Sequence, residues 1–115
     1  KIILNPILFD FDKQNIKSQA AFELDKLVAI MKKYPSMEIK VESHTDHSGT
    51  AAYNMALSNR RAASTVQYII SKGIDKARLT SQGFGKTKPL FDCGSNCTKE
   101  QNDKNRRSDF IITKR

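Results

Sequence analysis

The feature that most constrains the fold is an alternating segment that is followed, after a short polar stretch, by a long helical pattern. Met37, Ile39 and Val41 alternate with charged residues, which is typical of a strand covered on one face only. After the polar residues 43–49, the chain from about residue 50 to residue 72 places apolar side chains at helical spacing. Gly73 is suited to end that helix, because glycine readily adopts the left-handed conformation that follows a last helical turn. This order predicts a strand, a polar loop and a helix within an α/β domain.

The flanking segments extend this unit in both directions. Residues 18–33 predict an earlier helix with Ser18 as its N-cap and with an apolar stripe formed by Ala20, Ala21, Leu24, Leu27, Val28 and Met31. In the second helix, the apolar positions predict a buried side made of Tyr53, Ala56, Ala63, Val66, Ile69 and Ile70. Residues 7–9, 78–85 and 108–113 resemble strands, and residues 86–104 predict a loop with a helical turn near residues 98–101.

These segments occur in the order β-α-β-α-β-β. We therefore predict an α/β fold, a two-layer sandwich with two main helices on one face of a four-stranded mixed sheet. Strands that are joined through a helix should be parallel where they are adjacent, and the last strand should be antiparallel to a neighbour. The length of 115 residues predicts a single domain, residues 1–115.

Composition narrows the class of protein. No apolar run approaches the roughly 18 residues of a membrane-spanning helix. Residue 1 is a lysine and no signal peptide precedes it, so we expect a processed product or an excised domain. The formal net charge is +8, but the lysines are scattered and aromatic residues do not alternate with them, as a nucleic-acid platform would require. We predict a solvated basic surface and no nucleic-acid partner.

One group of polar residues suits a ligand that carries both a positive ammonium and a negative carboxylate. Asp46 lies in the predicted loop, and Asn54, Ser58 and Arg61 follow at spacings that place them on one helix face. Aspartate can only accept hydrogen bonds, as an ammonium requires, and arginine grips a carboxylate through two parallel bonds. Arg60 points about 100° away from Arg61 on a helix. The group lacks a nucleophile, so it predicts binding without covalent catalysis.

Other chemistries fit the sequence less well. His44 and His47 flank Asp46, but a catalytic zinc site usually has three converging protein ligands, so we predict polar loop residues and no metal. A catalytic His–Asp pair would need a serine or cysteine nucleophile within reach, and no residue is singled out for that role. Cys93 and Cys97 lack the second pair that a zinc site would need, which leaves either two thiols or a disulfide. No cofactor is expected.

Motifs along nearly the whole chain resemble those of the OmpA-like C-terminal domain family. The central match is Thr45-Asp46-x-x-Gly49 followed by Tyr53-Asn54-x-x-Leu57-Ser58-x-x-Arg61-Ala62. The chain then continues in the family's order with Gly73-Ile74, Arg78-Leu79, Gly83-Phe84-Gly85-x-x-x-Pro89 and Asn105-Arg106-Arg107. Phe9-Asp10-Phe11-Asp12 is similar to the family's opening strand.

This resemblance implies a non-catalytic, periplasmic module that binds peptidoglycan through the diaminopimelate of the stem peptide. Such a module would anchor the outer membrane, or an envelope complex, of a Gram-negative-type bacterium to the cell wall, and a flanking segment would supply the link to the membrane. The expected ligand-binding residues are Phe11, Asp12, Thr45, Asp46, Asn54, Leu57, Ser58, Arg61 and Arg107. Periodicity does not distinguish Arg106 from Arg107. The oxidising compartment implied by the resemblance favours a Cys93–Cys97 disulfide.

The rival hypothesis is a peptidoglycan hydrolase. A glycosidase normally requires two carboxyl groups that flank the scissile bond. Asp46 with Asp12 is the pair that the sequence offers, and a nearby Arg61 would oppose protonation of Asp46, which a general acid needs. Binding therefore remains the main prediction.

Overall fold

The computed structural model describes residues 4–115, so residues 1–3 of the predicted domain lie outside the described part. The described chain forms these strands and α-helices: β1 (Ile7–Leu8), α1 (Ser18–Lys33), β2 (Glu38–Ser43), α2 (Ala51–Ser71), β3 (Leu79–Gly83), α3 (Lys99–Asn105) and β4 (Arg107–Lys114). Short 3₁₀ turns occupy Lys76–Arg78 and Gly94–Asn96. No helix in this part of the chain is both long and apolar enough to span a membrane.

The strands form one mixed sheet in the order β1-β4-β2-β3. β2 and β3 are parallel neighbours, and β4 is antiparallel to both β1 and β2. The predicted α/β fold with a four-stranded mixed sheet is therefore confirmed. Because β4 lies between β1 and β2, the two strands joined through α1 are not adjacent. α3 is longer than the single helical turn expected there, and Thr98 and Gln101 begin it with reciprocal capping bonds.

α1 has the predicted bounds but a different N-cap residue. Ser18 is its first residue, and the N-cap position is held by Lys17 without a side-chain capping bond, so the capping role predicted for Ser18 is wrong. The predicted stripe is buried at Ala20, Leu24, Leu27, Val28 and Met31. These side chains pack with Ile7, Ile39, Val41 and Ile69 in the hydrophobic core.

α2 is one uninterrupted helix, but its buried side differs from the prediction. Thr50 caps it by accepting a bond from the Tyr53 N–H at 3.1 Å. Tyr53, Ala56 and Ala63 are exposed, whereas the buried residues are Asn54, Leu57, Ser58, Arg61, Ala62, Thr65 and Ile69. Asn54, Ser58 and Arg61 lie in the first half of α2, which faces the ends of β2 and β3 rather than the apolar core. This half of the helix is held against the strand ends by hydrogen bonds to the residues that follow β2 and β3, rather than by burial of apolar side chains.

Candidate ligand-binding site

A small pocket of about 70 Å³ opens where the end of β2, the start of α2 and the loop after β1 meet. Its walls are Phe11, Asp12, Thr45, Asp46, Ser48, Gly49, Tyr53, Asn54, Leu57, Arg61 and Arg106. Strand ends and a helix start are a frequent place for ligand sites in α/β folds. The pocket is large enough for the end of one polar side chain.

Asp46 is the carboxylate of the pocket and is only 5% exposed. Its Oδ1 accepts a hydrogen bond from the Ser48 N–H at 2.9 Å. Its Oδ2 accepts one from Arg106 Nη1 at 2.8 Å, in an ion pair that is almost fully buried. Arg106 is held in turn by the Phe9 carbonyl, at 3.1 Å from its Nε, and by the Asp103 carboxylate. Each Asp46 oxygen has a second lone pair and can accept a further donor from a ligand.

Arg61 is fully buried beside this carboxylate, at 0% exposure. Its Nε donates to the carbonyl of Lys13 at 2.9 Å, Nη1 to that of His44 at 2.9 Å and Nη2 to that of Asp10 at 3.0 Å. The guanidinium carbon lies 5.2 Å from the centre of the Phe9 ring. Arginine has five N–H donors, so these three carbonyls leave donors for a bound group. Arg61 therefore both supports the loop after β1 and borders the pocket.

Burial lowers the pKa of Arg61 to about 10, and the charge of Arg106 acts in the same direction. The carboxylates of Asp46 and Asp12 oppose this shift. Arg61 remains cationic at neutral pH. The pocket wall therefore combines one buried carboxylate with two buried guanidinium groups.

The loop between β2 and α2 is held by hydrogen bonds from several directions. The Asn54 side chain donates to the Ser48 carbonyl, and the Thr45 N–H donates to the Gly85 carbonyl at 2.9 Å. Thr45 Oγ1 donates to the Asp46 carbonyl at 3.0 Å, and Lys86 Nζ donates to the Gly49 carbonyl at 2.7 Å. These bonds fix the position of Asp46 before any ligand arrives, which lowers the entropy lost on binding.

The outer rim of the pocket comes from the loop after β1. Phe11 is 61% exposed and forms part of the pocket wall. Asp12 has a positive φ of 59°, and its carboxylate accepts a hydrogen bond from the Tyr53 hydroxyl. The carbonyl contacts of Arg61 lie on both sides of these two residues. Arg61 thus positions the rim as well as the interior.

Most of the predicted site residues line this pocket: Phe11, Asp12, Thr45, Asp46, Asn54, Leu57 and Arg61. Ser58 does not, because its hydroxyl donates to the Met55 carbonyl at 2.9 Å and accepts from the Gly85 N–H at 2.8 Å. Arg107 also points elsewhere, with its Nε 3.0 Å from the Asp109 carboxylate. Of the two arginines that periodicity left open, Arg106 lines the pocket and Arg107 does not. Consecutive side chains in extended backbone point in opposite directions, so only one of the two arginines can enter the pocket.

Sequence reasoning missed Arg106, Ser48, Gly49 and Tyr53 as lining residues. Tyr53 was assigned to the buried side of α2 by its spacing from the other apolar residues, yet it lies at the helix start and its hydroxyl donates to Asp12. Its position one residue before Asn54 was the available signal.

His44 is enclosed by the protein and carries no charge at neutral pH. His44 is buried, and its ring is stacked on Phe84 with centroids 5.5 Å apart. Burial lowers the pKa of His44 to about 4, the charges of Arg107 and Lys88 add to this, and Glu42 opposes it. The ring is therefore neutral at pH 7, and the 3.5 Å approach of its Nε2 to the Asp109 carboxylate is not an ion pair. Within residues 4–115, no three His, Cys, Asp or Glu side chains converge as a metal site would require.

Cys93 and Cys97 form a disulfide. The bridge closes the loop before α3, and this loop is tied to the helix end by a reciprocal amide pair. The Phe91 N–H donates to Asn105 Oδ1 at 2.9 Å, and Asn105 Nδ2 donates to the Phe91 carbonyl at 3.1 Å. The bridge thus lies next to the element that carries Arg106, and outside the pocket wall.

Comparison with known proteins gives consistent matches. The model of the OmpA family matches residues 8–106. The peptidoglycan-associated lipoprotein of Rhizobium meliloti strain 1021 is 40% identical over 87 residues, which cover 76% of this chain and 49% of that protein. Outer membrane protein A of Bordetella avium is 40% identical over 113 residues, 97% of this chain and 57% of that protein. The chain thus spans about half the length of these relatives.

Among solved structures, the peptidoglycan-associated lipoprotein from Burkholderia pseudomallei superposes with a TM-score of 0.85 at 27% identity, covering 93% of this chain and 88% of that one. The C-terminal domain of Helicobacter pylori MotB has the same fold, with a TM-score of 0.84 at 22% identity over 95% of this chain and 84% of that one.

Proposed function

The chain belongs to the OmpA family, and from this premise we propose that it binds peptidoglycan without cleaving it. The observation that carries the proposal is the pocket itself, whose wall combines one buried carboxylate, Asp46, with two buried arginines, Arg61 and Arg106. Such a site suits a zwitterionic group on a polymer chain. Two of the relatives are named as peptidoglycan-associated lipoproteins, which agrees with a ligand from the cell wall.

The ligand group that we propose is diaminopimelate in the stem peptide. Its side-chain centre carries a free ammonium and a free carboxylate. Asp46 would accept the ammonium through the lone pairs that Ser48 and Arg106 leave open. The N–H groups of Arg61 and Arg106 that do not contact protein oxygens would donate to the carboxylate, in the geometry that arginine forms with carboxylates.

The expected affinity for one stem peptide is moderate. Each charge-assisted hydrogen bond contributes about 1.5–3 kcal/mol net, and the loss of translational and rotational freedom on binding offsets much of the sum. Many copies held on one membrane and facing one polymer can still anchor firmly, because tethering raises the effective concentration. We therefore propose a periplasmic, cell-wall-anchoring module in a protein associated with the outer membrane.

The hydrolase alternative is less well supported by the contacts of its two acids. Both oxygens of Asp46 already accept N–H donors, so neither is placed to carry the proton that a general acid must deliver. Asp12 is exposed and accepts the Tyr53 hydroxyl. Incubation with purified sacculi separates the two functions, since a binder co-sediments without lowering turbidity and a hydrolase lowers it.

The direct test is calorimetry with soluble stem peptides that contain either diaminopimelate or lysine. Lysine keeps the side-chain ammonium but lacks the second carboxylate, so it should bind the wild-type protein at least tenfold more weakly. Asp46→Asn keeps the size of the side chain and should reduce affinity for the diaminopimelate peptide by 2 kcal/mol or more, roughly thirtyfold.

The matched control is Arg60→Ala, because Arg60 is exposed and lies beside the Tyr53 ring, away from the pocket interior. It should leave the affinity within about twofold of wild type. Equal binding of the two peptides, or an Arg60→Ala effect as large as that of Asp46→Asn, would contradict the proposed ligand site.

A further inference from the structure

A second, wider depression continues the pocket toward α3. This outer groove has a volume of about 780 Å³ and shares Phe11, Asp46, Ser48 and Arg106 with the pocket. It runs between the loop after β1 and α3, and its further walls include Leu8, Asp10, Lys17, Lys99, Asn102 and Asp103. A volume of this size lies in the range of sites that hold ligands of several hundred daltons, about 300–1,000 Å³. The pocket of about 70 Å³ holds only the end of one side chain.

The residues that the pocket and the outer groove share indicate the path of a ligand that is longer than the pocket. Asp46 and Arg106 form part of the wall of both the pocket and the outer groove, so the two cavities adjoin at this ion pair. The rest of a ligand whose charged end fills the pocket therefore has a continuous channel along the protein surface. Leu8 and Phe11 are both exposed there and offer apolar contact.

Two ammonium groups on the groove walls are available to a ligand. Lys17 Nζ lies 3.0 Å from Asp10 Oδ1, and Lys99 Nζ lies 3.1 Å from Asp103 Oδ2. The side chains of Lys17 and Lys99 are 42% and 90% exposed. Exposed ion pairs of this kind contribute little to stability, because water screens them and the long side chains lose freedom. Either lysine can therefore exchange its aspartate for a ligand carboxylate at small cost.

We infer that the outer groove holds the stem-peptide segment next to the diaminopimelate and that Lys17 and Lys99 recognise the free α-carboxylate of the γ-linked glutamate. This inference rests on the proposed function, because it takes the diaminopimelate as the group in the pocket. The glutamate precedes the diaminopimelate directly and is joined to it through its side-chain carboxyl, which leaves the α-carboxylate ionised. The pocket then recognises the diaminopimelate, and the groove adds recognition of the neighbouring glutamate of the stem peptide.

The experiment compares three ligands by calorimetry: free meso-diaminopimelate, the tripeptide Ala-γ-Glu-diaminopimelate, and the same tripeptide with isoglutamine in place of the glutamate. The proteins are the wild type, the double variant Lys17→Ala/Lys99→Ala and the control Lys104→Ala. Lys104 is on α3 like Lys99, but its Nζ pairs with Glu100 at 3.2 Å, away from the groove walls. All three proteins are first compared by thermal unfolding to establish that the variants are folded.

The double variant should bind the glutamate tripeptide about threefold to tenfold more weakly than the wild type does, as expected for two exposed charge contacts. It should bind free diaminopimelate as the wild type does, and it should lose nothing toward the isoglutamine peptide. Lys104→Ala should match the wild type for all three ligands.

The possible failures are separable. If the wild type binds free diaminopimelate but the double variant loses no affinity for the tripeptide, the groove inference is overturned and the proposed function is retained. An equal loss toward the glutamate and isoglutamine peptides, or an equal loss in Lys104→Ala, would overturn recognition of this carboxylate. If neither diaminopimelate nor the tripeptide binds the wild type, the proposed function fails and the inference with it.

Discussion

Replacing Arg61 with lysine removes a planar set of donors from a fully buried position while keeping the positive charge. In the wild-type protein, the guanidinium spans the carbonyls of Asp10, Lys13 and His44 at 2.9–3.0 Å. A lysine ammonium is a single point with three donors on a flexible stem, and it cannot reach three carbonyls that the guanidinium holds apart. The substitution should therefore leave buried acceptors without partners and loosen the loop that carries Phe11 and Asp12.

The magnitude follows from the number of carbonyls that lose a donor. An unsatisfied buried acceptor costs about 1–3 kcal/mol, so two of them imply a loss of about 3 kcal/mol. This is a large part of the stability of a small domain, which is about 5–15 kcal/mol. For a chain of this length, we expect the Tm to fall by about 12 °C.

Urea and thermal unfolding, followed by circular dichroism, measure this effect without any ligand. The control is Arg60→Lys, which makes the same chemical change on the neighbouring exposed residue and should leave the Tm within about 2 °C of wild type. If Arg61→Lys unfolds at the wild-type temperature but binds stem peptide poorly, Arg61 acts on the ligand alone and the argument from the three carbonyls is refuted.

Three further predictions concern other parts of the molecule. The pKa of His44 is about 4 in the folded protein and 6.5 in the unfolded chain, so between these two pH values the unfolded chain binds more protons. The free energy of unfolding should therefore fall by about 3 kcal/mol as the pH falls from 6.5 to 4. His44→Leu should remove this pH dependence, measured by urea unfolding at several pH values. Gly83→Ala should cost about 1–3 kcal/mol in unfolding free energy, because a Cβ there would lie 2.5 Å from Asn59 Oδ1 and 2.6 Å from the Asn59 backbone nitrogen. Replacing both Cys93 and Cys97 with serine should cost at most about 2 kcal/mol, since the loop is short, and should leave stem-peptide affinity nearly unchanged in calorimetry.

Each of these predictions has its own control. His47→Leu should keep the pH dependence of the wild type, and a His44→Leu protein that still loses 3 kcal/mol toward pH 4 would assign the effect to other groups. Ser81→Ala, in the same strand as Gly83 but exposed, should be nearly neutral, and equal stability of both alanine variants would contradict the predicted clash. Thiol titration of the denatured, unreduced protein should find no free cysteine, and two titratable thiols would exclude the bridge under those conditions.

The helices and the central strand were predictable because their signals are local. The apolar stripe of α1 and the alternation of β2 each arise from a repeat within one element, and both appear in the structure with nearly the expected bounds. The shared face of Asn54, Ser58 and Arg61 was also predictable, because all three are buried on one side of α2. Gly73 was predicted from a local signal as well, and it follows the end of α2 with a positive φ of 101°.

Contacts between distant parts of the chain were not predictable in this way. The partner of Asp46 is Arg106, sixty positions along the chain. Selecting it over Arg107 requires the orientation of the backbone as the chain enters β4. Ser58 shares a helix face with Arg61, yet its hydroxyl binds the Gly85 N–H because the exit of β3 passes over it. Helical spacing specifies the direction of a side chain and does not specify what lies in that direction.

The sequence by itself thus determined the elements, the family and a carboxylate with an arginine near one loop, because periodicity, turn chemistry and short motifs are written in neighbouring residues. Only the tertiary structure decided that Arg61 supports three carbonyls of other segments and that Arg106 completes the pocket. It also decided that a groove runs from the pocket to Lys17 and Lys99. The physical reason is that hydrogen-bond partners and pocket walls are set by the packing of segments that are far apart in the chain, and local pattern carries no information about that packing.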